Sequence, residues 1–200
     1  MKIQRMSVGM YAANCYIVLD ENSNECAVID PGGDSEVIKN ALKAMNAGKV
    51  KFILLTHGHA DHTGAALDIK NSFNAPIYCN KEDYNMMKRG TFMYGNVHDS
   101  VDEFLKDGDK LTFGGLEIKV IYTPGHSPGG VCFLVDNVVF TGDTLFSGSI
   151  GRTDMEGGDF DTLIDSIKNR LMILPDNTVV LPGHEGESSI GRERNSNPFL

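Results

Sequence analysis

Phe52-Ile53-Leu54-Leu55-Thr56-His57-Gly58-His59-Ala60-Asp61-His62 is the stretch that decides how this chain folds. An apolar run with the make-up of a buried strand stops at a threonine, and four potential metal ligands come directly after it. In extended backbone, side chains two apart point the same way, so His57 and His59 can grip one ion together. Asp61 and His62 fall at the start of a helix that the pattern carries through Leu67 and Ile69. The turn there swings them onto the opposite side of the same cavity. A single histidine is usually a satisfied surface or core group. H-x-H-x-D-H directly behind an apolar strand reads instead as a site for two adjacent metals.

The same grammar recurs three times downstream. Ile118 to Tyr122 runs into Thr123-Pro124-Gly125-His126, Val138 to Phe140 into Thr141-Gly142-Asp143, and Thr178 to Leu181 into Pro182-Gly183-His184. Glycine just before each ligand lets the backbone turn tightly and approach an ion. His57, His59 and His126 would bind a first metal and Asp61, His62 and His184 a second, with Asp143 bridging both. Imidazole with carboxylate suits zinc, and also iron or manganese. Two-metal hydrolytic sites hold their ions about 3.5–4 Å apart, and a water bridging them ionises near about pH 7, giving a nucleophile at neutral pH.

Two hundred residues suit one domain, 1–200. Eighteen basic against twenty-seven acidic residues leave a net charge of −9, which disfavours a nucleic-acid partner, since such binding rests on basic groups neutralising phosphates. Met1-Lys2-Ile3-Gln4-Arg5 leads into no long apolar run, so neither a signal peptide nor a membrane span is expected. Cys15, Cys26, Cys79 and Cys132 form no C-x-x-C pair and read as buried free thiols, which suits a reducing cytoplasm.

Strands are expected at 13–19, 26–29, 76–79 and 178–181, with hairpins around Gly114-Gly115 and Asp136-Asn137. Residues 35–46 predict a helix with Val37, Ile38, Ala41, Leu42 and Met45 on one face and Asp34 as cap. Residues 81–88 predict a short helix, and 160–171 an amphipathic one through Phe160, Leu163, Ile164, Ile167 and Leu171. Residues 89–101 read as a loop with His98 on the surface, and the chain beyond Pro182 as loop with at most a short helix. Both halves mix strands and helices, which predicts an α/β (α+β) architecture: two mixed sheets face to face with helices outside.

His57-Gly58-His59-Ala60-Asp61-His62, with Gly125-His126, Gly142-Asp143 and Gly183-His184, resembles the signature of the metallo-β-lactamase fold hydrolases. The resemblance implies an αββα sandwich with the site between the sheet edges. Asp143-Thr144-Leu145-Phe146 and Gly148-Ser149-Ile150-Gly151-Arg152-Thr153-Asp154 are similar to the glyoxalase II branch, which hydrolyses S-D-lactoylglutathione. Ile190-Gly191-Arg192-Glu193 with Asn197-Pro198-Phe199 resembles its short members. By that similarity Arg152 falls where the branch carries a cationic substrate-binding residue. Asp61 would orient the bridging hydroxide and take its proton, making the chain a thioester hydrolase acting on a small-molecule acyl-thiol. The two-domain glyoxalases add a helical domain that holds much of the glutathione. This chain ends soon after His184, so another thiol carrier or a broader thioester range is an open expectation. The family's true β-lactamases lack the bridging aspartate, which argues against β-lactam hydrolysis. The rival reading is a persulfide dioxygenase of the same fold, with a single iron on His57, His126 and Asp143. A non-enzymatic metal-binding module would show degenerate ligands, and none is missing.

Overall fold

The computed structural model describes residues 1–200. Its first half builds β1 (Lys2–Val8), β2 (Ala13–Leu19), β3 (Glu25–Ile29), α1 (Ser35–Ala44), β4 (Lys49–Leu54), α2 (Ala60–Thr63), α3 (Ala66–Phe73), β5 (Ile77–Asn80), α4 (Lys81–Lys88) and β6 (Val101–Leu105). The six strands form one sheet in chain order, antiparallel from β1 to β3 and parallel from β3 to β6. The second half adds β7 (Lys110–Phe113), β8 (Leu116–Tyr122), β9 (Val131–Val135), β10 (Val138–Gly142), a separate hairpin of β11 (Leu145–Phe146) and β12 (Ser149–Ile150), α5 (Phe160–Ser166), β13 (Val179–Pro182), β14 (Ser188–Ser189) and α6 (Ile190–Ser196). Its sheet runs β14-β13-β10-β9-β8-β7, with only the β10–β13 pair parallel.

Every residue of β2 is buried, as an interior strand covered on both faces requires. Its side chains divide by alternation. Tyr16 and Val18 join Ile29, Leu54, Phe133 and Phe140 in the layer between the sheets. Cys15, Ile17 and Leu19 face the other way, into a cluster with Ile38, Leu42 and Ile69 of the helices. On the far side, Cys132, Val139 and Val180 pack with Leu163, Ile167, Leu171 and Ile190. Three apolar layers separate helix, sheet, sheet and helix, so the predicted αββα sandwich forms. The four cysteines are buried and free.

Local differences have identifiable causes. The helix expected from Asp61 through Ile69 breaks after one turn, because Ala65 donates its N–H to Pro31 at 2.8 Å instead of continuing the ladder. Gly64 lies so close to the Pro31-Gly32 turn that a Cβ there would sit 2.5 Å from the Gly32 carbonyl oxygen. Asp34 occupies the N-cap position of α1 but does not cap it. Its backbone is left-handed (φ 48°) and its carboxylate accepts from the Gly9 N–H at 2.8 Å. Val37 and Phe160 are about half exposed and lie off the buried helix faces, which Ile38, Ala41, Leu42 and Leu163, Ile167, Leu171 make. The helix at 160–171 passes into a π-helical turn at Ile167–Leu171. Val101–Leu105 is an edge strand that takes in only the last residue of the segment read as loop, and His98 is exposed as expected.

Candidate metal centre

The strands stop at a common edge, and the turns leaving their ends meet there. β3 and β4 run parallel, so Asp30 and the stretch from His57 leave the first sheet side by side. β10 and β13 run parallel, so Asp143 and His184 leave the second together. Backbone bonds stitch these exits together, Val131 N–H to Thr56 C=O at 2.8 Å and Asn14 N–H to Gly183 C=O at 2.7 Å between the sheets, and Gly183 N–H to Gly142 C=O at 2.7 Å within the second. Glycine is obligatory at 183, where a Cβ would lie 2.3 Å from Asp143 Oδ1.

The structure brings all seven candidate ligands together. His57, His59 and His126 offer ligand atoms within 4.8 Å of one another, and so do Asp61, His62 and His184. Asp143 stands between the two groups, with Oδ1 3.4 Å from His62 Nε2 and Oδ2 3.6 Å from both His126 Nε2 and His184 Nε2. His59 Nδ1 and His126 Nε2 face each other at 2.9 Å. Asp61 Oδ2 lies 3.3 Å from His184 Nε2.

Hydrogen bonds behind the cluster fix which ring nitrogens are bare. His126 Nδ1 must donate to the Arg152 carbonyl at 2.8 Å, leaving Nε2 unprotonated in the neutral ring. His62 Nδ1 donates to Asp30 Oδ2 at 3.0 Å, with the same result. Thr56 Oγ1 gives its proton to Asp30 Oδ2 at 2.6 Å, so it accepts from His57 Nδ1 at 3.0 Å and His57 Nε2 is bare. Such outer partners orient ligating imidazoles and set their tautomer. His57 Nε2, His59 Nε2 and Asp143 Oδ1 are buried with no hydrogen-bond partner in the protein. Orphaned buried polar atoms are costly, and bare imidazole nitrogens beside unsatisfied carboxylate oxygen are a donor set for divalent metal. The residues present fit the group.

Electrostatics agree. Burial and the surrounding imidazoles hold His57 well below its ordinary pKa, and burial with His126 beside it takes His59 down to about 3. Burial lowers His126 as well. These three rings are neutral near pH 7, as metal ligands must be. At His62 burial pulls the pKa down, but the Asp143 and Asp30 carboxylates outweigh it and leave it raised. His184 is raised chiefly by its bond to Asp61. Burial pushes Asp61 and Asp143 upward, yet the imidazoles around them win and both stay ionised, Asp143 most strongly. The second half of the site therefore favours positive charge.

Two buried acids stand behind the ligands. Asp30 accepts from the Thr56 N–H at 2.7 Å besides the two bonds above. It also lies within ligand distance of His57 and His62, but both its oxygens are engaged. Its backbone is left-handed (φ 50°), a strained state held by those bonds. Asp83 accepts from Gly58 N–H at 2.7 Å, Gly129 N–H at 2.6 Å and Ser127 Oγ at 2.7 Å, tying the first ligand stretch to the loop of His126.

The cluster opens into a cavity of about 420 Å³. Asp61, Asp143 and His184 reach it, Tyr11, Met93, Phe146 and Met155 give it apolar walls, and Arg152 and Glu185 stand at its exposed edge. Arg152 holds Asp154 through Nε at 2.7 Å and a terminal nitrogen at 2.8 Å. Its side chain was the sequence's candidate, whereas its carbonyl is the group that touches a ligand.

A sandwich of two mixed sheets carrying His and Asp at one shared strand edge defines a class, and the chain belongs to it: the sequence model of the Metallo-beta-lactamase superfamily matches residues 8–184. Hydroxyacylglutathione hydrolase GloC of Haemophilus influenzae is 36% identical, over all of this chain and 98% of that one. Among solved structures, BLEG-1 B3 metallo-beta-lactamase is 34% identical with TM-score 0.88, over 100% of this chain and 99% of that one. TTHA1623 in a di-iron-bound form is 32% identical with TM-score 0.87, over 98% and 100%. ETHE1 from Myxococcus xanthus is 27% identical with TM-score 0.84, over 99% and 84%. The His/Asp cluster and the di-iron neighbour both point to divalent metals. No helix is long and apolar enough to cross a membrane.

Proposed function

We propose that the protein hydrolyses a small-molecule acyl-thioester, S-lactoylglutathione or a related acyl-thiol, using two divalent metals, zinc first among them. The observation that carries this reading is the Asp143 carboxylate, which stands within 3.6 Å of His126 in the first group and of His62 (3.4 Å) and His184 (3.6 Å) in the second. One acid shared by both halves suits a pair of ions. His57, His59 and His126 would hold one, Asp61, His62 and His184 the other, and Asp143 both. Bound there, the ions supply Lewis acidity and a water acidic enough to act near neutral pH.

The chain's own residues do the rest. Asp61 faces the cavity and is ionised, so it can orient the attacking water and hold its proton on a carboxylate oxygen. Tyr11, Met93, Phe146 and Met155 offer apolar surface for the acyl group to lie against. Arg152, once released from Asp154, can meet a carboxylate of the thiol carrier. The net charge of −9 speaks against nucleic acid as substrate, and four buried free thiols fit a cytoplasmic setting.

A second reading is a persulfide dioxygenase with a single iron on His57, His126 and Asp143. The likeness to ETHE1 and the 3.6 Å between Asp143 Oδ2 and His126 Nε2 support it. Metal analysis of purified protein with a panel of acyl-thioesters, glutathione persulfide with oxygen uptake, and nitrocefin separates the readings. About two metals per chain and thioester cleavage are expected. Protein that holds two metals and cleaves no acyl-thioester overturns the proposal.

A further inference from the structure

Glu193 of α6 is fully buried and takes no part in the chemistry above. Its partners are neutral donors: Gly148 N–H at 2.8 Å, Asn197 Nδ2 at 2.8 Å and the Ser188 hydroxyl. Asn197 also donates to the Ser149 carbonyl at 3.1 Å. A buried carboxylate is expensive unless its bonds fix something. They fix the β11–β12 hairpin, whose turn is Ser147-Gly148 and whose Phe146, Ser149 and Ile150 line the cavity. Phe146 stands edge-on to His184, with ring centroids 6.2 Å apart. The base of the hairpin is closed separately by Gly151 N–H to Thr144 C=O at 3.3 Å.

We propose that Glu193 and Asn197 form a positioning clip that holds the tip of this hairpin as the wall against which the substrate is seated. The inference rests on reading the cavity as the substrate site. Because the base is closed on its own, loosening the tip leaves Asp143 and the metals in place while weakening the seat.

The test compares metal-loaded wild type with Glu193→Ala and Asn197→Ala. Three quantities are read: exchange of the Gly148 and Ser149 amides, metal per chain, and kcat and KM on S-lactoylglutathione. Expected are a Gly148 amide protected in wild type and exchanging at least about tenfold faster in Glu193→Ala, which removes its acceptor. Metal content should be unchanged, kcat within about twofold, and KM raised about five- to twentyfold in both variants. An unprotected Gly148 amide in wild type, metal loss that parallels the KM change, or a lowered Tm with unchanged KM each overturns the clip. Should Glu193→Ala fail to fold, Asn197→Ala carries the kinetic test, since it removes the bond to the Ser149 carbonyl and leaves the carboxylate and its bond to Gly148 in place. If wild type hydrolyses no thioester, the functional reading falls by itself. The clip is then read from amide exchange and from calorimetric binding of S-hexylglutathione, which the variants should weaken.

Discussion

Asp30 and Asp83 stand behind the same histidine stretch, both buried, each accepting three hydrogen bonds, and they do different work. Asp30 addresses rings: it holds His62 directly and His57 through Thr56 Oγ1. Asp83 addresses backbone: two of its three donors are glycine amides, from the loops that carry His57-Gly58-His59 and His126. One acid thus sets which nitrogen is bare, and the other sets where the loops lie. The division shows in Asp83 itself, which burial pushes up to about 6 despite its three donors, with no cation among them to hold it down.

The largest effect should come from Asp30→Ala. It strands the Thr56 N–H, the Thr56 hydroxyl and His62 Nδ1–H in the interior, at a cost of about 3–5 kcal/mol. It also frees two rings to take the wrong tautomer, so metal affinity should fall about 10–100-fold. Urea unfolding with chelator present reads the first quantity, and competition with a metal indicator the second.

Asp83→Asn comes next, with about 1–3 kcal/mol lost at neutral pH, because an amide can accept from only part of its three donors. Metal affinity should change less than tenfold. Equal metal loss from Asp83→Asn and Asp30→Ala would abolish the distinction between the two acids. Acidity sharpens it further. The folded-state pKa of about 6 lies above the ordinary 3.8. The stability this contributes is therefore fully present below about pH 4 and lost as pH rises through about 6. The gap between wild type and Asp83→Asn should widen by about 1–3 kcal/mol on going from pH 7 to pH 4. A gap that is flat, or narrows, rules out the raised acid.

These two acids also mark what the sequence shows and what it conceals. The candidate ligands are legible because each is a His or Asp standing directly behind an apolar run, and a strand end is a local property. Asp30 obeys that rule after Ala27-Val28-Ile29, yet Pro31-Gly32-Gly33 makes it read as a turn residue. Asp83 gives no local sign, since an acid in the first turn of α4 fits the helix dipole equally well. Only the approach of Gly58, Ser127 and Gly129, each far from Asp83 in the chain, gives it a role. The same holds for the break at Gly64, which needs the Gly32 turn, and for Glu193, which needs the hairpin tip. The αββα layering is legible because alternation in the strands and helical spacing in 35–46 and 160–171 are local. The edge strand at Val101–Leu105 is not, since three of its five residues are exposed and it lacks a buried face.

The smallest effect concerns Thr56, where the work of Asp30 passes through a single hydroxyl. Thr56→Val keeps the shape and removes the oxygen between Asp30 Oδ2 and His57 Nδ1, leaving a buried N–H without an acceptor. The expected cost is about 1–2 kcal/mol. Thr56→Ser restores the oxygen and loses only a methyl group, about 1 kcal/mol or less. If Asp30 acts by setting the His57 tautomer, metal affinity should track the hydroxyl, falling in Thr56→Val and recovering in Thr56→Ser. If Thr56 only packs, the two variants should retain metal alike. Gly142 decides how much room there is for either change, because a Cβ on it would lie 2.3 Å from Thr56 Oγ1. The bridging-acid strand thus packs directly against the relay, so valine and serine, neither larger than threonine, can replace it while a side chain at 142 cannot be added.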